Sequence, residues 1–429
     1  MNEIKTNIAI IGGGALGITL AFWLSKISKI DIDVVLIDEN KELVSGTSGT
    51  NSFMLQSPLF YDPDSYQKVF GHAVCSSRKF WYKFSDKAQI KKIGTLEIAV
   101  QEEMLKVIET HYKWNSFYCP DEKFKMVSKN EIASLEPNLS SFGGLLLEDD
   151  ATVDYRSVLQ NMVEKIKNIK ILKNELALKI NEKNDGVEVF SENYKILADF
   201  VVNTTGPGAL KLAHKMGLGK NLADIYVGSY YWKTEPMFNH HVFAISKTSS
   251  PKFPYLYPYL SVLYDGTREI GPKPFLVGQP YYRKYGDGWE LVRHLFSPPI
   301  RPKLKLLFDK EFFNIIAKAG ASLVSESYII EKAKEFIPNL KLLNQKRLAG
   351  KRSIIIGEKG FIEPSKMIKT NRTLHVLQYY EPGVTGTPAF AHALARLILV
   401  WLGIKEIETD EIEPIPLNEI DPLLVKMNI

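Results

Sequence analysis

The sequence predicts an α/β protein: a Rossmann-like domain of two-dinucleotide-binding type, joined to an α+β second domain built on an antiparallel sheet. Three observations carry this prediction. From Asn7 to Asp38 a short apolar run meets a glycine turn, a helix-like segment and a second apolar run that ends in an acid. Two later apolar runs, Ala198 to Asn203 and Leu374 to Leu377, also lead into glycine-containing turns. Between them, 226 to about 276 is strand-like and crowded with aromatics and prolines, as an irregular antiparallel layer would be. At 429 residues the chain exceeds one compact core, so two intertwined domains are expected.

In chain order, Ile8 to Ile11 is the first strand and Gly12 supplies the tight turn. Gly14 leaves room for a pyrophosphate, and Gly17 lets the helix Ala15 to Ser28 pack closely on the sheet. The N–H groups of Ala15 and Leu16 open that helix, whose positive end suits phosphate. Asp38 closes the second strand where a carboxylate accepts from a ribose diol, and Glu39 follows. The alternative is a glycine-rich turn without a ligand. The small polar loop Ser45 to Ser52, with Thr47, Ser48, Thr50 and Asn51, offers hydroxyls and open N–H groups to phosphate or a flavin edge, or is a surface turn.

Helices are expected over 66–84, 102–116 and 128–135, the last with a Ser128/Glu131 capping box. Strands are expected over 94–100 and 144–147, and a helix from 155 to about 167. A run of strands from 169 ends at Thr204, Thr205 and Gly206. Further helices are expected over 290–294 and 303–330, the latter broken near 319–320. After the strand at 374–377 comes the turn Gly383, Val384, Thr385, Gly386, and then a helix starting near Thr387 with Pro388 in its first turn. The acidic tail after Lys405 reads as a lid or surface strap.

Composition narrows the function. A formal charge of +5 with interspersed signs gives no basic stripe, which argues against nucleic acid. The first strand begins within a few residues of Met1, leaving no room for a signal peptide, and no apolar run reaches the about 18 residues of a spanning helix. Cys75 and Cys119 have no metal-type spacing and read as two reduced thiols in a cytoplasmic protein. Peripheral contact with the inner face of a membrane, through 389–402 or the tail, is an alternative, but 389–402 reads first as a helix packed against the sheet of the dinucleotide-binding domain.

The motifs GGGALG (12–17), VVLID (34–38), SGTNS (48–52), EPNL (136–139), VDYR (153–156), VVNTTGPGA, LAGKR (348–352) and LHV with EPGVTG (to 386) resemble the D-amino-acid-oxidase-like FAD-dependent oxidoreductases. The resemblance spans nearly the whole chain. It points to the L-2-hydroxyglutarate dehydrogenase/oxidase group, with malate:quinone oxidoreductases and FAD-linked glycerol-3-phosphate dehydrogenases as cousins. It implies FAD rather than NAD, a fold of two-dinucleotide-binding type, a small anionic substrate, and electrons passed to a quinone or another acceptor. It implies FAD contacts at the glycine and hydroxyl positions above, at Ala177, at Arg352 and at 383–386. The FAD domain then comprises 1–85, 150–222 and 345–405, the substrate domain 86–149 and 223–344, and the tail 406–429.

Two positions depart from that group. Gln56 and Tyr259 stand where it has histidines. Glutamine is no base, and tyrosine ordinarily titrates at about 10. The candidate catalytic set is Arg352 as the anion clamp, Tyr259 and Tyr257 as substrate hydrogen-bonders, and Gln56. Lys273 reads as solvated, His375 and His72 as core residues, and Asp154 with Arg156 as local capping and pairing groups. His240 and His241 lack the company a metal needs, so no metal is expected. The readings left open are glycerol-3-phosphate or amine oxidation, or a flavin-binding protein whose chemistry was lost.

Overall fold

The computed structural model describes residues 1–247, 257–280, 288–310, 327–357, 365–379 and 383–427. In chain order the elements are β1 (Asn2–Ile11), α1 (Ala15–Ile27), β2 (Val34–Ile37), β3 (Met54–Leu55), α2 (Lys68–Phe84), β4 (Ile90–Lys92), β5 (Thr95–Ala99) and α3 (Leu105–Tyr118). Then come β6 (Phe124–Ser128), α4 (Lys129–Leu135), β7 (Gly143–Leu147), β8 (Ala151–Val153), α5 (Tyr155–Val163), β9 (Ile169–Leu172), β10 (Ala177–Lys183), β11 (Gly186–Ser191), β12 (Tyr194–Asn203) and α6 (Ala209–Lys215). The second half holds β13 (Ala223–Thr234), β14 (His241–Ile245), β15 (Tyr259–Val262), β16 (Arg268–Val277), α7 (Gly288–Leu295), α8 (Ile300–Leu307) and α9 (Ser327–Lys334). The chain finishes with β17 (Leu342–Ile356), β18 (Lys366–Lys369), β19 (Thr373–Gln378), α10 (Gly383–Trp401) and β20 (Leu424–Lys426).

One nine-stranded sheet runs β20-β18-β19-β12-β1-β2-β9, with β10 and β11 added as an antiparallel flap on β12. Strands β19, β12, β1, β2 and β9 are mutually parallel, so their carboxyl ends open on one edge. Both faces are covered, which is why β2 is buried throughout. A second sheet of eight strands, β17-β13-β16-β15-β14-β5-β7-β6, is mostly antiparallel, and a small third sheet joins β3, β8 and β4. The expected α/β plus α+β class is the observed one.

Helix α10 packs between α1 and α2. It is long and apolar enough to cross a membrane by composition, but 78% of its apolar window is buried inside the fold. It is a core helix packed inside the fold, the reading the sequence favours for it over membrane contact. It also begins at Gly383, so Pro388 lies inside it rather than in its first turn. Side chains of α2 stand in for the broken ladder. Ser77 Oγ accepts the Ala389 N–H at 2.9 Å, and Trp81 Nε1 donates to the Thr385 carbonyl at 3.0 Å.

Four other expectations need correction. Cys75 and Cys119 are joined in a disulfide between α2 and the residue after α3, with Cα atoms 5.7 Å apart, because the two helices pack side by side. Residues 345–356, expected with the FAD domain, lie in β17, which pairs along β13 and so belongs to the eight-stranded sheet. The tail is not only a strap: β20 pairs in parallel with β18 as an edge strand of the nine-stranded sheet. Lys273 is buried, with its ammonium 5.5 Å from the centre of the Trp232 ring. The Ser128/Glu131 capping box is present on α4. The expected helix break at 319–320, and the 380–382 part of the last glycine turn, lie outside the described residues.

Candidate flavin and substrate site

The carboxyl ends of β1, β2 and β12 converge on one cleft. Gly12 N donates to the Ile37 carbonyl at 2.8 Å, and Thr204 N to the Ile11 carbonyl at 2.8 Å, so the three turns are tied to one another. The cleft is lined by Gly12 to Gly14, Asp38 to Asn40, Val44 to Ser48, Glu175 to Ala177 and Thr204 to Gly208. Of the expected FAD contacts, Gly12, Gly14, Asp38, Glu39, Ser45, Thr47, Ser48, Ala177, Thr204, Thr205 and Gly206 are on this wall. Gly13, Asn40, Val44 and residues 175–176 were not expected there. They come from loops whose approach depends on the whole sheet.

The glycines have different tasks. A Cβ on Gly17 would lie 1.9 Å from the Gly12 carbonyl oxygen, so Gly17 is a packing residue that seats α1 against the turn. Gly206, at φ +59°, has nothing within 4 Å of where a Cβ would stand and opens on the cleft. Asp38 braces the turn: it accepts the Gly13 N–H at 2.6 Å and the Asn40 N–H at 2.8 Å. Ser48 Oγ accepts from Ala15 N at 2.9 Å at the start of α1. An open glycine wall, clustered hydroxyls and two carboxylates at parallel strand ends fit the adenosine diphosphate half of FAD.

Residues 44–53 carry this wall over to the second sheet. Two non-glycine residues in the left-handed region bracket the loop, Val44 at φ 59° and Phe53 at φ 57°. Such backbone costs about 1–3 kcal/mol each and persists where surrounding contacts fix it. The contacts are on β17. A Cβ on Gly350 would stand 2.3 Å from Thr47 Cα, so strand and loop touch backbone to backbone, and Thr47 Oγ1 donates to the Lys351 carbonyl. Arg347 donates to the Thr50 and Asn51 carbonyls at 2.7 and 3.1 Å and forms a forked pair with fully buried Glu269, closest at 2.7 Å. Thr50 and Asn51 therefore act through their backbone. The Asn51 side chain accepts the Phe53 N–H at 2.7 Å.

Arg352, the expected anion clamp, shares this neighbourhood. The register between β13 and β17 slips by one residue between Ala349 and Arg352, which makes a bulge. Both arginines then lie in the field of the buried Tyr231 hydroxyl, which hydrogen-bonds Tyr259 at 2.6 Å. Burial, reinforced by Tyr259, holds the Tyr231 hydroxyl well above its ordinary titration range, so it keeps its proton. Tyr257 is elsewhere: its hydroxyl donates to Glu335 at 2.9 Å, with its ring tilted against Phe336. Arg347 was missed because it precedes the LAGKR motif by one residue. The signal was there, a second Lys-Arg pair five residues ahead of the first.

Gln56 lies at the start of α10. Its N–H donates to Thr385 Oγ1 at 3.3 Å, and the buried Tyr155 hydroxyl donates to the Met54 carbonyl beside them at 2.9 Å. Thr385 and Gly386 are buried in the first turn of α10, with Gly383 and Val384 half-buried before them. Gln56 and this turn thus meet, apart from the cleft lined by 12–14. The histidines are structural. His375 bridges Asn203 and Thr373 at 3.0 and 3.1 Å, and burial pushes it down to about 4. His241, pushed down by burial to about 3, accepts from Val262 N and reaches the Ala151 carbonyl. His240 does have a carboxylate, Glu136 of the EPN motif at 2.6 Å, and the same oxygen accepts the Asn239 and His240 N–H groups. His72 holds Glu419 of the tail at 3.0 Å. Asp154 caps α5 through the Ser157 N–H.

Known proteins share the family and the fold. A family model described as FAD dependent oxidoreductase matches residues 7–397. The L-2-hydroxyglutarate dehydrogenase of Escherichia coli is 22% identical over 411 residues, covering 91% of this chain and 93% of its own length. A malate:quinone oxidoreductase of Helicobacter pylori is 24% identical over 462 residues, covering 96% and 100%. Among solved structures, FAD-bound L-alpha-glycerophosphate oxidase from Mycoplasma pneumoniae superposes with a TM-score of 0.65 at 18% identity, over 99% of both chains. L-proline dehydrogenase from P. horikoshii does so at 0.67 and 18%, over 97% and 96%. The chain is a member of the FAD-dependent oxidoreductase family, an enzyme whose cofactor is FAD.

Proposed function

We propose that the enzyme oxidises a small anionic 2-hydroxy acid, of the L-2-hydroxyglutarate or malate kind, and passes the electrons to a quinone or another acceptor. The observation that carries this reading is Arg347 held 4.9 Å from the Tyr231 ring and bonded to the 44–53 loop, with the charge of Arg352, on the same strand, also acting on the Tyr231 hydroxyl that hydrogen-bonds Tyr259. The names of relatives that align over nearly the whole chain support it. When bound, FAD supplies the hydride acceptor. In this reading Arg352 holds a substrate carboxylate and Arg347 fixes the loop under it. Tyr231, which keeps its proton, donates a hydrogen bond through the tyrosine pair, and Gln56 orients the substrate without accepting a proton. A quinone acceptor entails peripheral contact with the inner face of a membrane from the cytoplasm.

Anaerobic bleaching of the flavin tests the reading. L-2-hydroxyglutarate or malate should reduce it, and Arg352→Met should raise the half-saturating concentration at least about tenfold, the worth of one hydrogen bond to a charged group. Reduction by glycerol-3-phosphate or an amino acid instead moves the substrate class. Reduction by none of them leaves a flavin-binding protein without this activity.

A further inference from the structure

The helical hairpin α7–α8 packs Leu295 and Leu306 inward but turns several large apolar residues outward as well. At 100° per residue, Trp289, Val292 and Phe296 fall on one face, with Arg293 at its edge. Trp289 is 72% exposed and Phe296 59%. The opposite face points inward, where His294 stacks on Tyr226 with ring centres 4.2 Å apart and donates to the Asp224 carbonyl at 3.0 Å. Helix α8 repeats the pattern. Leu306 packs on Ile225 and Ile354 of the eight-stranded sheet, while Arg301, Lys305 and Phe308, the last 83% exposed, point out.

The hairpin is rigid. The buried Lys303 ammonium of α8 donates to the His294 carbonyl at 2.6 Å and to Ser297 Oγ at 2.9 Å, capping the end of α7. Gly278 lets α7 lie against the end of β16, since a Cβ there would stand 2.5 Å from Leu291 N. A fixed scaffold thus presents exposed tryptophan and phenylalanine beside cations. The fold has no need to expose them.

We propose that this face docks the enzyme on an anionic lipid bilayer, with Trp289, Phe296 and Phe308 in the headgroup region and Arg293, Arg301 and Lys305 on the acidic headgroups. Charge complementarity and interfacial aromatics select a bilayer over a second copy of the chain, whose matching face would repeat the same cations. The purpose of the contact rests on the quinone reading above, but its geometry does not.

The test is co-sedimentation of the FAD-loaded enzyme with vesicles of phosphatidylcholine, with and without phosphatidylglycerol. Binding should require phosphatidylglycerol and fall with salt. R293Q/R301Q/K305Q should weaken it about a hundredfold, since each basic residue near an acidic surface is worth about a fivefold factor. W289S/F296S/F308S should abolish it, with flavin reduction by substrate unchanged in both. Should a triple variant fail to fold, quenching of tryptophan fluorescence by brominated lipid in the native enzyme, lost in W289F, decides the same point. Absence of binding at low salt overturns the proposal. So does binding that neither triple variant changes, or self-association that W289S/F296S/F308S disrupts. Reoxidation of the reduced flavin by a soluble quinone analogue, without vesicles, tests the acceptor separately, so the two readings fail independently.

Discussion

Arg347 and Arg352 sit five residues apart on one strand, an odd spacing that would put them on opposite faces of a regular sheet, yet the charges of both act on the Tyr231 hydroxyl, Arg347 from 4.9 Å off the ring centre. The bulge between Ala349 and Arg352 reconciles these facts by turning the strand over by one residue. The same bulge contains Gly350, where strand and the 44–53 loop touch. One local irregularity therefore brings two cations to one place and seats the loop.

The two arginines should separate under mutation. Arg347→Met leaves buried Glu269 without its partner and should cost about 3–5 kcal/mol in urea denaturation of the FAD-loaded enzyme, with loss of flavin. Adding Glu269→Gln should restore part of that loss. Arg352→Met should act on substrate affinity, read as the half-saturating concentration in flavin reduction. An equal rise of that concentration with Arg347→Met, at full flavin content, would remove the distinction drawn between them.

Gly350→Ala forces a Cβ against Thr47 Cα. It should cost about 1–3 kcal/mol by overpacking and weaken FAD binding measured by equilibrium dialysis. Gly288→Ala, with nothing within 4 Å of the new methyl at the start of α7, should be neutral or stabilising by up to about 1 kcal/mol. A G350A protein that holds FAD as tightly as the parent would show that strand and loop are not coupled there.

Stability should fall as the solution is acidified from about pH 6.5, the ordinary histidine range, toward pH 4. Burial pushes His375, His294 and His392 down to about 4 and His241 to about 3, so the folded chain keeps them neutral while the unfolded chain takes up protons. Each contributes a slope of about 1.4 kcal/mol per pH unit across that window, and below the folded values the loss is complete. Urea midpoints of His375→Gln should fall less steeply with acid than those of the parent. Parallel slopes would mean that His375 does not titrate on unfolding.

His392 of α10 lies edge-on to Trp23, buried, and its Nδ1 has no hydrogen-bond partner among the described residues. His392→Leu removes an unsatisfied group from the core and should stabilise by about 1–2 kcal/mol. A fall in the urea midpoint would indicate that the imidazole is satisfied in solution.

The cleft was legible in the sequence because its signals are local, glycines at fixed spacing and an acid closing a strand, just as the capping box of Ser128 and Glu131 marked the start of α4. Other features depend on partners far away in the chain. Nothing near 345–356 announces that β17 pairs with β13 more than a hundred residues earlier, so its sheet was misassigned. The start of α10 was misplaced because Pro388 ordinarily marks a first turn, and only Ser77 and Trp81 of α2 make it tolerable further in. Cysteine count and spacing say nothing of two helices that pack side by side, so the Cys75–Cys119 bond was invisible.

Thr47 stands on the seam between the two large sheets, lining the cofactor cleft on one side and touching Gly350 on the other. The loop thus belongs mechanically to both lobes. Any hinge motion that parted them would strip Thr47 from β17 and pull the 50–51 carbonyls off Arg347. Parting the two sheets would therefore break the hydrogen bonds that hold the 44–53 loop against β17.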